Sequence, residues 1–315
     1  MIFLDGVGLG PGDPASNPLA VAHMPTMERL LGGRRLVAGS APYHGPLASL
    51  LSIDARMGVP KTPQSATGQG ALVTGRNVPA LVGEHYGPKP NPAVAEVIRQ
   101  GNLFQTITER GGTAALLNAY PPRYFTAIES GRRLYSAIPL AATSAGLELM
   151  TAEDLQAGRA LSADFTGAGW AAQPGFPACP VYTETEAGLL LAELSSRYDL
   201  AWLDCWATDY AGHHQDFDAG VRLMEALDSV LAALVEAWGR RNDLIIITSD
   251  HGNMEDMQAK GHTLNPVPGL LIGPSKKRLR FGQGLGSLAD FAPRILDVIF
   301  GQDDPAVQSG PAQPS

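Results

Sequence analysis

The apolar run Leu244-Ile245-Ile246-Ile247 ends directly before Thr248-Ser249-Asp250-His251-Gly252. A run apolar at every position, too short for a helix, is the signature of a strand covered on both faces. Before it, Val221, Met224, Leu227, Leu231, Leu234 and Trp238 fall on one face of a helix over 221–238. The same alternation recurs along the chain. Ile2 to Leu4 reads as a buried strand ending at Asp5, Asn102 to Arg110 as a capped helix, Thr113 to Leu117 as a strand, and Leu200 to Trp206 as another. Thr183 and Glu186 have the spacing of a capping box, opening a helix through Leu194. Strands alternating with helices predict an α/β fold, a mainly parallel sheet sandwiched between helices. Ligands bind such sheets at the carboxyl ends of the strands, where Asp5, Asp209 and the Asp250-His251 pair all fall.

Composition narrows the class. Apolar residues are 44% and charged residues 17%, which fits a globular chain and neither a disordered nor a membrane-spanning one. With 23 basic against 31 acidic residues the net charge is −8, so no electrostatic footprint for nucleic acid or an anionic membrane is expected. Two cysteines, Cys179 and Cys205, are too few for a disulfide framework and suit a reducing compartment. The N-terminus lacks the basic and long apolar regions of a signal peptide, so a cytoplasmic location is expected. One core domain is expected over 1–315, with a small inserted flap at 122–182 and a frayed tail at 301–315. Oligomeric state is left open.

Asp209-x-x-x-His213 spaces a carboxylate and an imidazole by one helical turn, so both can face one cation. Asp250-His251 lies at a strand mouth, and His262 sits in the Pro-stiffened stretch His262-Thr-Leu-Asn-Pro-Val-Pro. With Asp5 these supply mixed nitrogen and oxygen donors, a set suited to Zn or Mn. His214 is expected to point away from the site, and His23 and His44 have no supporting pattern. Gly6-x-Gly8-x-Gly10 is not a dinucleotide fingerprint, because Pro11 stands where the third glycine would. Ser65 and Thr67 lie at the apparent start of a helix running through Val73, where free N–H groups and the helix dipole favour a phosphoryl oxygen. Either hydroxyl could also serve only as an N-cap.

In this order, an early strand ending in Asp5, Ser65-x-Thr67-Gly68, D-x-x-G-H over 209–213, S-D-H-G-N over 249–253 and H-T-x-N-P-V-P over 262–268 resemble the alkaline phosphatase superfamily. The resemblance is closest to its cofactor-independent phosphoglycerate mutase and phosphopentomutase branch, and it covers residues 1–90 and 185–300. It implies two divalent metal ions, Mn preferred and Zn possible. One would be held by Asp209, His213 and His262, the other by Asp5, Asp250, His251 and the nucleophile Ser65. Thr67 is the secondary candidate for nucleophile; Ser65 is preferred because it precedes Gly68 by three residues, as in those motifs. Gln69 stands where the related motifs have a histidine, a departure within the nucleophile segment. The x-Pro-x-Arg context of a sulfatase nucleophile is missing.

The expected function is two-metal hydrolysis of a small phosphate monoester through a phosphoserine. Alternatives are a phosphomutase, a phosphodiesterase or nucleotide pyrophosphatase of the same superfamily, and an inactive metal-binding scaffold. Hydrolysis is preferred because 122–182 is too short for the whole domain that covers the site in the mutases resembled. Arg76, Arg123, His85 and Lys89 are the candidate substrate-binding residues, with Arg132 and Arg133 equally readable as solvated arginines.

Overall fold

The computed structural model describes residues 1–173, 179–239 and 241–301. Its main sheet uses β1 (Ile2–Leu4), β2 (Tyr43–His44), β3 (Ala48–Ile53), β4 (Ala114–Leu116), β7 (Leu200–Cys205), β8 (Ile245–Thr248) and β9 (Val267–Ile272). A separate parallel pair joins β5 (Ala119–Tyr120) to β6 (Met150–Thr151). The order across the main sheet is β2-β3-β9-β8-β1-β7-β4.

The expectation of a mainly parallel sheet holds for one half only. The stretch β8-β1-β7-β4 is parallel throughout, while β9, β3 and β2 add on as antiparallel neighbours. Strands β3 and β9 escape a reading based on unbroken apolar runs. Val267-Pro268 opens β9 directly from the loop bearing His262, and Ser49 and Ser52 interrupt β3.

Successive side chains along the parallel strands enter different apolar layers. Ile2 and Leu4 of β1, Leu203 of β7, and Ile245 and Ile247 of β8 pack into the layer containing the helices Glu184–Ser195 and Phe217–Trp238. Phe3, Trp202 and Ile246 enter the opposite layer, beneath the helices Ser65–Thr74, Pro92–Arg99, Leu103–Glu109 and Phe291–Phe300. Burial on both faces explains the unbroken apolar runs. The capping box of Thr183 and Glu186 forms, and Asn102 caps the helix Leu103–Glu109. The long helix begins at Phe217, earlier than its apolar periodicity suggests, because Asp216 caps it by accepting from the Ala219 N–H.

Within 122–182, the helix Ala137–Ser144 is buried in the second apolar layer. The helices Pro122–Glu129 and Ala168–Ala171 lie at the mouth of the cavity described below. Residues 174–178, and 302–315 of the expected tail, lie outside the described residues. Among the described residues no helix is long and apolar enough to cross a membrane.

Candidate active site

Parallel pairing decides which side chains meet. Leu4 is in register with Cys205, and Phe3 with Thr248, so β1, β7 and β8 end at one edge. Asp5 follows β1 there, and Asp250 and His251 follow β8. The helix Ala207–His214 begins after β7 and carries Asp209 and His213. Gly6, at φ +69°, turns the first loop sharply where a Cβ would strike Asp209. Ser65 is the first residue of its helix and is oriented toward the same edge.

Two overlapping donor sets result. His251 Nε2 lies 3.4 Å from Asp5 Oδ1, 3.6 Å from Asp250 Oδ2 and 3.0 Å from Ser65 Oγ. His213 Nε2 lies 3.3 Å from Asp209 Oδ2 and 3.2 Å from His262 Nε2, which is 3.9 Å from Asp209 Oδ1. The rings of His251 and His262 stack at 3.7 Å and join the sets. Donor atoms of Asp5, Asp250 and His251 lie within 4.8 Å of one another, as do those of Asp209, His251 and His262. His262 Nδ1 faces the Pro63 carbonyl at 2.8 Å; in the tautomer that donates there, Nε2 keeps a lone pair for the centre.

The electrostatics are those of a site short of positive charge. Burial, then the charges of Asp250 and Asp209, push the Asp5 carboxyl well above its ordinary range. Burial and Asp209 push Asp250 up to about 7. Burial pushes His251 and His262 down, toward the neutral form that binds metal. Asp5 Oδ1 is buried without a hydrogen-bond partner. Orphaned carboxylate oxygen beside neutral imidazoles is a donor set that fits divalent cations. Gln69, one turn after Ser65, is the amide between the carboxylates, its Nε2 3.3 Å from Asp5 Oδ2 and 3.0 Å from Asp250 Oδ2.

A cavity of about 660 Å³ opens onto Ser65, Asp5 and Asp209. Lys89 and Arg123 line it, as does Arg133, whose guanidinium lies over the Tyr124 ring at 4.8 Å. Arg123 is hydrogen-bonded to Gln173. Arg76 is not brought to the cavity: it follows the far end of the ten-residue helix from Ser65, exposed, and reaches Gln100 at 3.3 Å. His85 is also placed elsewhere, buried with Nε2 3.2 Å from the Arg56 carbonyl. Arg132 is exposed and bonded to Ser130, and His214 is exposed against Tyr210. The Thr67 hydroxyl donates toward the Gln64 or Tyr86 carbonyl and accepts from the Tyr86 N–H, so it ties a loop to the helix and is absent from the cavity lining.

Reading by motif missed Glu255 and Asp204. Glu255, fully buried, accepts from the N–H groups of Gly8 and Asn253, from Asn265 Nδ2 and from the Thr263 hydroxyl. It thereby holds together the loops carrying Asp5, His251 and His262. Its place two residues after the S-D-H-G-N stretch was the available signal. Asp204, inside an otherwise apolar strand, had its burial as signal. It lines the cavity, and burial, then Asp250, push its carboxyl up to about 8.

Residues 183–302 match the family model of the Metalloenzyme superfamily. The 2,3-bisphosphoglycerate-independent phosphoglycerate mutase of Syntrophotalea carbinolica is 38% identical over 122 residues, 37% of this chain and 23% of that protein. The enzyme of the same name from Halobacterium salinarum is 35% identical over 143 residues, 44% of this chain and 27% of its own length. The chain thus spans about a quarter of the length of these relatives. Among solved structures, the PH0037 protein from Pyrococcus horikoshii superposes with a TM-score of 0.55 at 16% identity, over 96% of this chain and 97% of that one. A cold-active alkaline phosphatase from Shewanella sp. gives 0.52 at 12% identity, over 95% and 99%. Donor sets, sequence match and superposition agree: residues 183–302 are similar to the Metalloenzyme superfamily, and the fold is alkaline phosphatase-like.

Proposed function

We propose that the protein is a two-metal-dependent phosphoryl-transfer enzyme that hydrolyses a small phosphate monoester through a phosphoserine on Ser65. The observation that carries this reading is Ser65 Oγ, 3.0 Å from His251 Nε2, at a helix start and facing a cavity. Asp209, His213 and His262 would hold one divalent cation; Asp5, Asp250, His251 and Ser65 would hold the other, with Mn preferred and Zn possible. When bound, such cations lower the pKa of an attached hydroxyl and neutralise charge on phosphoryl oxygens.

The chain's own residues supply the rest. Ser65 is held at the positive end of its helix dipole, where backbone N–H groups also favour the phosphoryl oxygens. Attack of Ser65 Oγ on phosphorus breaks the ester bond, and the alcohol leaves with a proton. Water then attacks phosphorus, releasing inorganic phosphate and restoring the serine hydroxyl. Gln69 keeps Asp5 and Asp250 side by side. Lys89, Arg123 and Arg133 attract the anionic substrate.

Hydrolysis is favoured over a mutase reaction because the site is open on one side. The His213 side chain is 47% exposed. A mutase must shield its phosphoenzyme from water while the intermediate reorients. The test is a panel of phosphate monoesters, diesters and sugar phosphates with Mn-loaded and Zn-loaded protein in oxygen-18 water. Labelled inorganic phosphate from a monoester is expected; a positional isomer formed without labelled phosphate overturns the hydrolase reading.

A further inference from the structure

We propose that Asp204, with the phenols of Tyr120 and Tyr124, forms a subsite that reads a hydroxyl group on the leaving alcohol of the substrate. The inference rests on the phosphoryl-transfer reading above and adds the identity of the group beyond the ester bond.

Three buried polar atoms lack hydrogen-bond partners here: Asp204 Oδ1, Tyr120 Oη and Tyr124 Oη. The three residues are 6%, 5% and 6% exposed, and all line the cavity that Ser65 faces. Buried polar atoms are almost always satisfied, so three together mark a place where a ligand or water completes the hydrogen bonds. Asp204 is also fixed in place. Its N–H donates to Asn118 Oδ1 and its carbonyl accepts from Asn118 Nδ2, both at 2.7 Å. Its strand neighbours Leu203 and Cys205 face one apolar layer, while Asp204 shares the side of Trp202, where the layer gives way to the cavity at the strand end.

The chemistry selects the ligand group. A carboxyl oxygen accepts, and a phenol both donates and accepts, which complements a hydroxyl that does both. Tyr120 stacks with Trp206 at 6.0 Å between centroids and 24° between planes, offering an apolar flank for the carbon bearing that hydroxyl. An ammonium group is disfavoured because Lys89 and Arg133 line the same cavity without a carboxylate partner among the described residues. Burial and the Arg133 charge push Lys89 down, which places the two cations near each other. Asp204 belongs to neither donor set assembled around His251.

The experiment compares glycerol 1-phosphate with propyl phosphate as substrates of the full-length, Mn-loaded protein, using wild type, Asp204→Ala and Tyr120→Phe. The wild type is expected to prefer the hydroxylated ester by about 5- to 30-fold in kcat/KM, the range that one or two hydrogen bonds to neutral groups supply. Asp204→Ala should bring the ratio close to one, with the larger loss on glycerol 1-phosphate. Tyr120→Phe, which removes a single oxygen, should lower the ratio severalfold and guards against a misfolded alanine variant. A wild-type ratio near one, an unchanged ratio in both variants, or equal losses on both esters overturns the subsite. If neither ester turns over, the hydrolase reading fails separately, and calorimetry with propylphosphonate and 2,3-dihydroxypropylphosphonate decides the subsite. Tighter binding of the dihydroxy compound that Asp204→Ala abolishes supports it; equal affinities in the wild type overturn it.

Discussion

Glu255 Oε2 accepts a hydrogen bond from the backbone N–H of Gly8 at 2.9 Å, joining two loops 247 residues apart in the chain. The same oxygen accepts from the Asn253 N–H at 2.8 Å, and Oε1 accepts from Asn265 Nδ2 at 3.0 Å and from Thr263. Four donors on one carboxylate use its full acceptor capacity.

Glu255→Gln should therefore fail to substitute for Glu255, because its amide nitrogen would confront donors where an acceptor is required. A loss of about 1–3 kcal/mol is expected for a buried donor left unmade, with metal affinity falling about 10–100-fold as ligand loops lose their support. Thermal unfolding and metal titration by calorimetry measure the two effects. Wild-type metal affinity in the glutamine variant would remove Glu255 from the support of the site.

Ser65→Ala should reduce turnover below about one per cent of wild type, the residue of activity left when a nucleophile is lost, while metal still binds through the other ligands. Thr67→Ala should act on stability instead, by about 1 kcal/mol, since its hydroxyl ties the Tyr86 loop to the helix. Steady-state kinetics and chemical denaturation on both variants separate these roles. Turnover abolished by the threonine change and spared by the serine change would reverse the assignment.

Metal binding, and the stabilisation that the metal brings, should rise together with pH. Asp5 and Asp250 are pushed up, Asp250 to about 7, so protons compete with cations for these carboxylates as pH falls. Mn or Zn should raise the unfolding midpoint of chelator-treated protein, more at pH 8 than at pH 5.5. A midpoint indifferent to chelator and to both metals, with no metal by elemental analysis, would sink the two-metal site.

In the metal-free protein the slope is the opposite, and Asp204 contributes to it together with Asp5 and Asp250. The folded pKa of Asp204 is about 8, above its ordinary value, so the folded state retains a proton that the unfolded state has lost. The stability linked to that proton is present at acid pH and is lost as pH rises toward 8. Asp204→Asn has no proton to lose there, so in chelator it should gain on the wild type between pH 5 and pH 8. Unfolding midpoints across that range measure it, and parallel pH profiles for the two proteins would exclude a raised Asp204 pKa.

Features that depend on near neighbours along the chain were legible in the residues alone. The apolar strands, the Thr183-Glu186 cap and the Asp209-His213 pair follow from spacings of one turn or one pleat, and all are present. The meeting of Asp5, Asp209, Asp250 and His251 also followed, because parallel strands bring their carboxyl ends to one edge. Which polar side chains meet across long separations emerged with the assembled sheet. Arg76 and His85 lie close to Ser65 in sequence, yet helix direction carries Arg76 to the far end and the Arg56 carbonyl holds His85 aside. Glu255 holding Gly8, and Asn118 clamping Asp204, require the order β8-β1-β7-β4, which no local spacing encodes. The difference is one of range: periodicity records which face of an element is buried, whereas hydrogen bonds between elements depend on strand order and register.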